Sequence, residues 1–477
     1  MIWKAVKNSA AILLGDILGG LINLSIAVCL IRYFGGAGFG AYSFALSFIY
    51  QFMVIDDIWL KPILIREISR DNAESGKLIG NSIILKLLVS SAAMLLIYAI
   101  IRVMNCPKEV LTLTRFAIAN IPLISILASF EAVFKAGLNM PYYIGISFLS
   151  KLFYMAAVFM LLSAKGNINQ FMLALVISNM INIFFITRIL NKFIRLDFRI
   201  DFSLWRKILN NSWPLFLSAI FISIYTRLDH ILLFKLKGPE QLGLYSAAVK
   251  LAEYFHFIPL AAAASVFPLM SKYFYISQEI FKNIYTLTYK YLSIFIVPIA
   301  VTIFFFSRQI ISLLYGFDFL PAEAALKILI FAEIFVFFGI INSRILIATG
   351  NQMLELVFTG ASALVSISLS LILIPHYGFA GAALAGLFSR GIGPLMGFLF
   401  LSTAPYSKCM FNSAVKPLLA SIVMVTILFL SMATVKIIVV FAPIVYILTL
   451  SLIRGINIKN GLGFLKSTVQ KLKLKEV

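Results

Sequence analysis

The chain has 477 residues, 61% of them hydrophobic and only 12% charged, with a mean hydropathy of +1.00. A soluble protein of that length needs far more polar surface to cover its core, so a soluble globular domain is excluded. Forty lysines and arginines against 19 acids leave a formal charge of +21. Most of these cations fall between apolar stretches, which points to the cytoplasmic loops of a membrane protein and not to nucleic acid.

A bilayer-spanning helix needs about 20 mostly apolar residues. Such stretches predict an all-α membrane protein of fourteen spans, at 10–31, 39–59, 81–102, 115–135, 143–163, 170–190, 213–234, 243–269, 287–306, 323–348, 355–375, 379–401, 414–434 and 437–453. The first follows Lys4 and Lys7 as a signal sequence would, but it runs on without a cleavage site and is expected to be retained. Between the sixth and seventh spans, Phe193–Lys207 alternates basic and apolar residues (Arg195, Phe198, Arg199, Phe202, Trp205, Arg206), the pattern of an interfacial helix.

Loop charge sets the orientation. With the N-terminus inside, inner loops carry Lys61, Arg66, Arg70 and Lys77, then Arg188, Lys192, Arg195, Arg199, Arg206 and Lys207, and the tail adds Arg454 through Lys475. Outer loops are poorer, with Arg32, Arg102, Lys108, Lys165, Lys235, Lys237, Arg308 and Lys436. Both termini are therefore expected in the cytoplasm, with the chain in the cytoplasmic (inner) membrane.

Two segments match at a constant offset of 203 residues: Asn8-Ser9 with Asn211-Ser212, Gly35 with Gly238, Gly40 with Gly243, Tyr42-Ser43 with Tyr245-Ser246, and Ala45 with Ala248. The offset covers six spans, so both copies enter the membrane in the same direction. The expected organisation is a six-helix bundle over 1–192, an interfacial linker helix over 193–212, a second six-helix bundle over 213–402, and two extra spans with a basic tail over 403–477. Two such bundles face each other across a cavity and can open alternately to either side.

Charge inside the hydrocarbon costs roughly 2.5–3.5 kcal/mol on insertion scales, so it turns toward protein or water. Arg227 and Asp229 lie inside span seven; Lys250, Glu253 and His256 follow at three-residue spacing in span eight and share a helix face. That cluster reads either as a polar site or as salt bridges tying the two spans together. Arg390 sits mid-span between Gly386 and Gly391, without an acid nearby in sequence, and is a candidate cavity residue. Arg344 lies near the inner end of span ten, where snorkelling is the competing reading. Glu131 and Lys135 form an i,i+4 pair; Lys151 lies inside span five, Asp16 and Asn23 in span one, and Asp56-Asp57 closes span two. The mixture leans basic, which suits a phosphate or diphosphate head group better than a lipophilic cation.

No Gly-x-x-x-x-Gly-Lys-Ser/Thr loop is present, so direct use of ATP is not expected, and Gly36-Ala37-Gly38-Phe39-Gly40-Ala41 opens a membrane span without the strand a dinucleotide site requires. Cys29, Cys106 and Cys409 offer no metal or disulfide spacing. No cofactor is implied, and the connecting segments leave no room for an enzymatic domain.

The stretch Lys7-Asn8-Ser9, Ile31-Arg32-Tyr33-Phe34-Gly35, Phe39-Gly40-Ala41-Tyr42-Ser43 and Ile63-Leu64-Ile65-Arg66-Glu67-Ile68-Ser69-Arg70 resembles the opening of the Wzx-type polysaccharide (O-antigen) flippases. Further on, Arg227-Leu228-Asp229, Gly243-Leu244-Tyr245-Ser246-Ala247-Ala248, Ala348-Thr349-Gly350-Asn351-Gln352 and Tyr377-Gly378-Phe379-Ala380-Gly381-Ala382-Ala383 are similar to the same family, and the likeness covers roughly residues 1–400. The family's superfamily, MOP, also holds multidrug exporters and lipid II flippases. The resemblance implies a MATE-like fold and translocation of a polyprenyl-diphosphate-linked oligosaccharide, driven by a coupling cation (proton or sodium), with membrane lipids and the polysaccharide polymerase machinery as partners. It gives substrate contacts to Arg227, Lys250 and Arg390, with Asp229 and Glu253 as charge partners or ion-coupling groups; by their place in the spans Arg344 is a further substrate-binding candidate, and Asp16, Glu131 and Lys135 are further ion-coupling or charge-partner candidates. Asp56-Asp57-Ile58-Trp59-Leu60 departs from the family's Asp-x-Gly-x by its bulk. The rivals are distinguishable: a cation antiporter of the same fold should show an acidic cavity, a lipid II flippase basic residues in span one, and a membrane glycosyltransferase or ligase a larger loop.

Overall fold

The computed structural model describes residues 2–70, 75–137, 139–400, 403–430 and 435–452. Within them the chain forms α1 (Ile2–Trp59), α2 (Lys61–Arg70), α3 (Ser75–Val103), α4 (Lys108–Ile118), α5 (Asn120–Ala136), α6 (Met140–Ser163) and α7 (Ile168–Leu190). There follow α8 (Phe202–Ala252), α9 (Phe257–Ile276), α10 (Gln278–Leu314), α11 (Ala322–Ala348), α12 (Gln352–Met396), α13 (Ala404–Leu430) and α14 (Val435–Leu452). The expected basic tail, with Arg454 and the lysines beyond it, lies outside the described residues, as does the Asp57 side chain. Large apolar side chains such as Leu95, Met160 and Leu364 point outward, as lipid-facing residues do.

Among the described residues ten helical runs are long and apolar enough to cross a membrane, where the sequence predicts fourteen separate spans. The difference lies mainly in three runs that each join two expected spans. A straight helix of 58 residues, the length of α1, reaches about 87 Å, nearly three times the hydrocarbon thickness. The run is not straight: Gly35, Gly238 and Gly378 have φ of 64°, 86° and 56°, inside α1, α8 and α12. A side chain at such a φ would press Cβ on the following carbonyl, so glycine allows the chain to reverse there. Reversal is visible in contacts: Tyr245 hydrogen-bonds Asp229 across the Gly238 turn, although a straight helix would part them by about 24 Å. Expected span eight is also interrupted, by a single 3-10 turn over Glu253–His256 between α8 and α9.

At their glycine turns α1 and α8 meet reciprocally. Gly40 presses its backbone on the Pro239 carbonyl and Gly243 on the Gly36 carbonyl, so closely that a Cβ at either position would collide. Two cations lock the same end. Arg32 of α1 donates to the Leu314 and Leu313 carbonyls at 2.7 and 2.6 Å, at the C-terminus of α10. Lys235 of α8 donates to the Met104 carbonyl at 2.6 Å, just past the C-terminus of α3. Both place positive charge on the negative end of a helix dipole. At the opposite end the Trp59 indole donates to Ser212 Oγ at 2.7 Å and packs on Phe216, so the bulk that departs from the family pattern is the piece that joins α1 to α8 there.

The expected interfacial linker helix is helical only from Phe202, with Asp201 as its N-cap. Residues 194–201 are extended and lie along α3, where Gly76 and Gly80 leave a groove against the Arg195 and Asp197 carbonyls. Asn81 fastens this strap: its amide donates to the Arg199 carbonyl at 2.8 Å, while its oxygen accepts from Asp201 N at 2.8 Å and Trp205 Nε1 at 3.0 Å. Lys77 pairs with Asp201 at 2.6 Å. Of the alternating basic residues Arg195 and Arg199 belong to this strap, whose bonds to α3 take the place of internal helical ones, and Arg206 belongs to the first turns of α8.

Candidate functional site

The second arm of α1 carries Tyr50 toward α8. Lys250 Nζ donates to Tyr50 Oη at 2.9 Å and lies 4.7 Å from the ring centroid, while the Arg227 guanidinium lies 4.8 Å from the same centroid. One aromatic of the first half is thus held by two cations of the second.

Arg227 is neutralised. Its Nη2 donates to Glu253 Oε2 at 2.9 Å, and Glu253 also stands 3.9 Å from Arg390. Arg390 Nη1 in turn donates to Glu333 Oε1 at 3.0 Å, and the second oxygen of the fully buried Glu333 binds His256. An alternating chain of Arg227, Glu253, Arg390, Glu333 and His256 therefore links α8, the 3-10 turn, α12 and α11. Two arginines meet two carboxylates, which makes burial of all four tolerable. Asp229 belongs elsewhere, bonded by Tyr245 and by His230 at 2.8 Å.

The sequence candidates therefore separate. Arg227, Glu253 and Arg390 come together, but as an ion-pair chain that also takes in His256 through Glu333. Lys250 faces the other way, to Tyr50. Arg344 lies apart, over the Phe267 ring at 5.9 Å. Asp16 is exposed on α1. Glu131 does not take Lys135 as its expected i,i+4 partner: α2 runs beside α5 and brings Lys61 to 2.6 Å instead. Asp56 forms a helix–helix bond with Lys86 at 2.8 Å, the two side chains only 3% and 1% exposed. Sequence reading missed Tyr50 and Glu333. Glu333 could have been found, because it is an acid in the interior of span ten and such a group must have a partner.

Beside Tyr50 a cavity of about 220 Å³ lies within the first half, between the two arms of α1, α6 and α7, with Lys250 at one side. Its wall contains Lys151 as well as Lys250 and no carboxylate. Neither lysine has a carboxylate within 4 Å among the described residues. The positive charge outside close ion pairs is therefore on Lys250, bonded to Tyr50, and on Lys151, whose nearest acid is Asp16 beyond 4 Å, and not on the arginines.

The polysaccharide biosynthesis protein family model matches residues 5–274, and the MatE model matches residues 214–372. Among curated proteins, none matches the sequence. The fold is similar to that of "Lipid II flippase MurJ, inward closed conformation", with a TM-score of 0.76 at 19% identity over 94% of this chain and 98% of that one. It is also similar to an inward-facing multidrug resistance MATE family transporter of the MOP superfamily, with a TM-score of 0.67 at 15% identity over 86% and 99% of the two chains. A MOP superfamily transporter from Pyrococcus furiosus aligns with a TM-score of 0.64 at 16% identity over 83% and 94%. With more than half its length inside one family model, the chain belongs to the polysaccharide biosynthesis protein family, and its fold is similar to that of the MOP superfamily transporters.

Proposed function

We propose that this protein is a flippase that moves a polyprenyl-diphosphate-linked oligosaccharide from the cytoplasmic to the outer leaflet by alternating access. The observation that carries this reading is the pair of uncompensated lysines, Lys151 and Lys250, on a cavity whose wall has no acid. A diphosphate needs cations not already spent on carboxylates, and a lysine outside any close ion pair is available to it. Arg227 and Arg390 then serve as positioning residues that fix α8 against α11 and α12. Loop charge assigns the glycine-turn end to the outside, so outward opening must break the Arg32 and Lys235 contacts and part Gly40 from Pro239. The ten runs become thirteen crossings when the three glycine-turned helices are counted as two each, and α14 added to them supports the reading of fourteen, in two six-helix bundles plus two. A coupling proton or sodium ion and a polymerase partner rest on the family resemblance.

A second reading, cation antiport, is favoured by the MatE match and by the buried carboxylates Glu253 and Glu333. Proteoliposomes separate the two. The flippase reading expects fluorescent polyprenyl-diphosphate oligosaccharide to reach the far leaflet, with no uptake of cationic dyes. Dye transport without lipid movement would replace it with antiport.

A further inference from the structure

We infer that the first-half cavity is a sugar subsite, which takes the pyranose next to the diphosphate while Lys250 and Lys151 hold the phosphates. This deepens the flippase reading and rests on it.

The wall chemistry singles out a polyol. Three amides, Asn23, Asn179 and Asn182, line the cavity together with Ser147 and Ser150 of α6 and Ser178 of α7. Amides and hydroxyls both donate and accept, as sugar hydroxyls do, whereas a phosphate only accepts and a metal or organic cation asks for acceptors with negative charge. Two of these groups are waiting: Asn182 Oδ1 and Ser147 Oγ are buried with no hydrogen-bond partner. Buried polar atoms are almost always bonded, so an unpartnered acceptor and hydroxyl just behind one cavity wall are available to a ligand once the side chains over them part. The remaining polar groups are held in place. Asn179 Nδ2 donates to Asn120 Oδ1 at 2.8 Å, Ser178 Oγ to the Ser150 carbonyl at 2.8 Å, and Tyr42 and Tyr154 share a hydrogen bond of 3.0 Å. Tyrosine rings and Leu30, Phe39 and Leu46 supply apolar wall for the C–H face of a sugar ring.

Size and position agree. At about 220 Å³ the cavity is smaller than the roughly 300–1,000 Å³ of pockets for drug-sized ligands, which suits a single ring and not an oligosaccharide chain. Lys250 and Tyr50 lie at the border with the second half, so a diphosphate there places its first sugar inside the first half and leaves the rest of the glycan to the space between the halves. A prenyl tail does not fit this wall, because it offers no hydrogen bond to Asn182 or Ser147.

The test measures binding of farnesyl diphosphate alone and of farnesyl diphosphate carrying one glucose, galactose, N-acetylglucosamine or 6-deoxyhexose, to the purified full-length chain. Wild type is expected to bind at least one glycosylated probe about tenfold more tightly than the bare diphosphate. Asn182→Leu, which keeps the side-chain size, and Ala27→Phe, which fills the cavity, are expected to erase that increment and leave farnesyl diphosphate affinity unchanged. Lys250→Gln is expected to weaken every probe by the same factor. No increment for any of the four sugars in wild type, or equal weakening of bare and glycosylated probes by Asn182→Leu, overturns the subsite while leaving a diphosphate-binding flippase intact. If no diphosphate probe binds at all and a cationic dye does, the flippase reading itself fails. Unchanged farnesyl diphosphate binding in the two cavity variants also certifies that they fold.

Discussion

The α1 and α8 hairpins have the same backbone and opposite chemistry. Each reverses at a glycine with positive φ, each presses a second glycine on its partner, and each sends a cation, Arg32 or Lys235, to the end of a helix in the other half. At the 203-residue offset, however, Leu24, Ile26 and Ala27 of α1 stand where α8 has Arg227, Asp229 and His230, and Tyr50 stands where the later segment has Glu253. Tyr42 bonds a neutral tyrosine; its counterpart Tyr245 bonds a carboxylate. The second half joins α8, α11 and α12 by a chain of ion pairs, and the first half, beside its one buried Asp56–Lys86 pair, leaves a polar cavity with lysines and no carboxylate on its wall. A shared frame can thus divide labour: one half is fastened by charge, the other is kept open for a ligand, and the free lysines lie at the cavity they share.

The largest effect that could break this contrast is in the ion-pair chain. Glu333→Gln leaves Arg390 and His256 short of charge and should cost roughly 3–5 kcal/mol, read as a fall in melting temperature. Combining Glu333→Leu with Arg390→Met should recover most of it. Next comes the matched tyrosine pair. Tyr245→Phe removes a donor to a buried carboxylate and should cost about 1–3 kcal/mol, whereas Tyr42→Phe should cost about 1 kcal/mol. Equal losses would erase the distinction between the halves. The glycine-turn end should respond symmetrically: Arg32→Ala and Lys235→Ala should each shift spin-label distances across that end toward the open state, by about 1–2 kcal/mol apiece. One silent variant would show that only one hairpin is locked.

The smallest effect is at the strap. The Lys77 ammonium, then Ser203 and the Leu204 amide, hold the Asp201 carboxyl below the ordinary carboxylate range. A depressed carboxyl contributes above its unfolded value and loses that contribution only as pH falls through the folded one. Hydrogen exchange over residues 194–201 should therefore show the same protection factors from pH 8 to about pH 5, after correction for intrinsic rates. Asp201→Asn should raise exchange there at every pH.

Much of the frame was legible. Apolar runs located the membrane helices, and the offset match found the glycines that prove to sit in equivalent turns, because a reversal in lipid leaves few alternatives to glycine. The site was legible only in part. Local spacing suggested Glu131 with Lys135, but the true partner, Lys61, arrives from a different helix. Spacing grouped Lys250 with Glu253 and His256, yet the break from α-helix to 3-10 turn after Ala252 separates Lys250 from the others. Net charge suggested a basic cavity around Arg227 and Arg390; pairing with Glu253 and Glu333 is a tertiary fact, and it moves the uncompensated charge to Lys151 and Lys250. The extended strap also escaped, since its bonds go to α3 and its amphipathic alternation mimics a surface helix.

The central claim is that free lysines carry the substrate and paired arginines carry the fold. It is tested most directly by translocation of a polyprenyl-diphosphate oligosaccharide in proteoliposomes, comparing Lys250→Gln with the double variant Glu333→Leu, Arg390→Met. The account predicts that Lys250→Gln inserts and melts like wild type but loses translocation about tenfold or more, while the double variant still translocates. Normal transport by Lys250→Gln, together with its loss in a stably folded double variant, would contradict it.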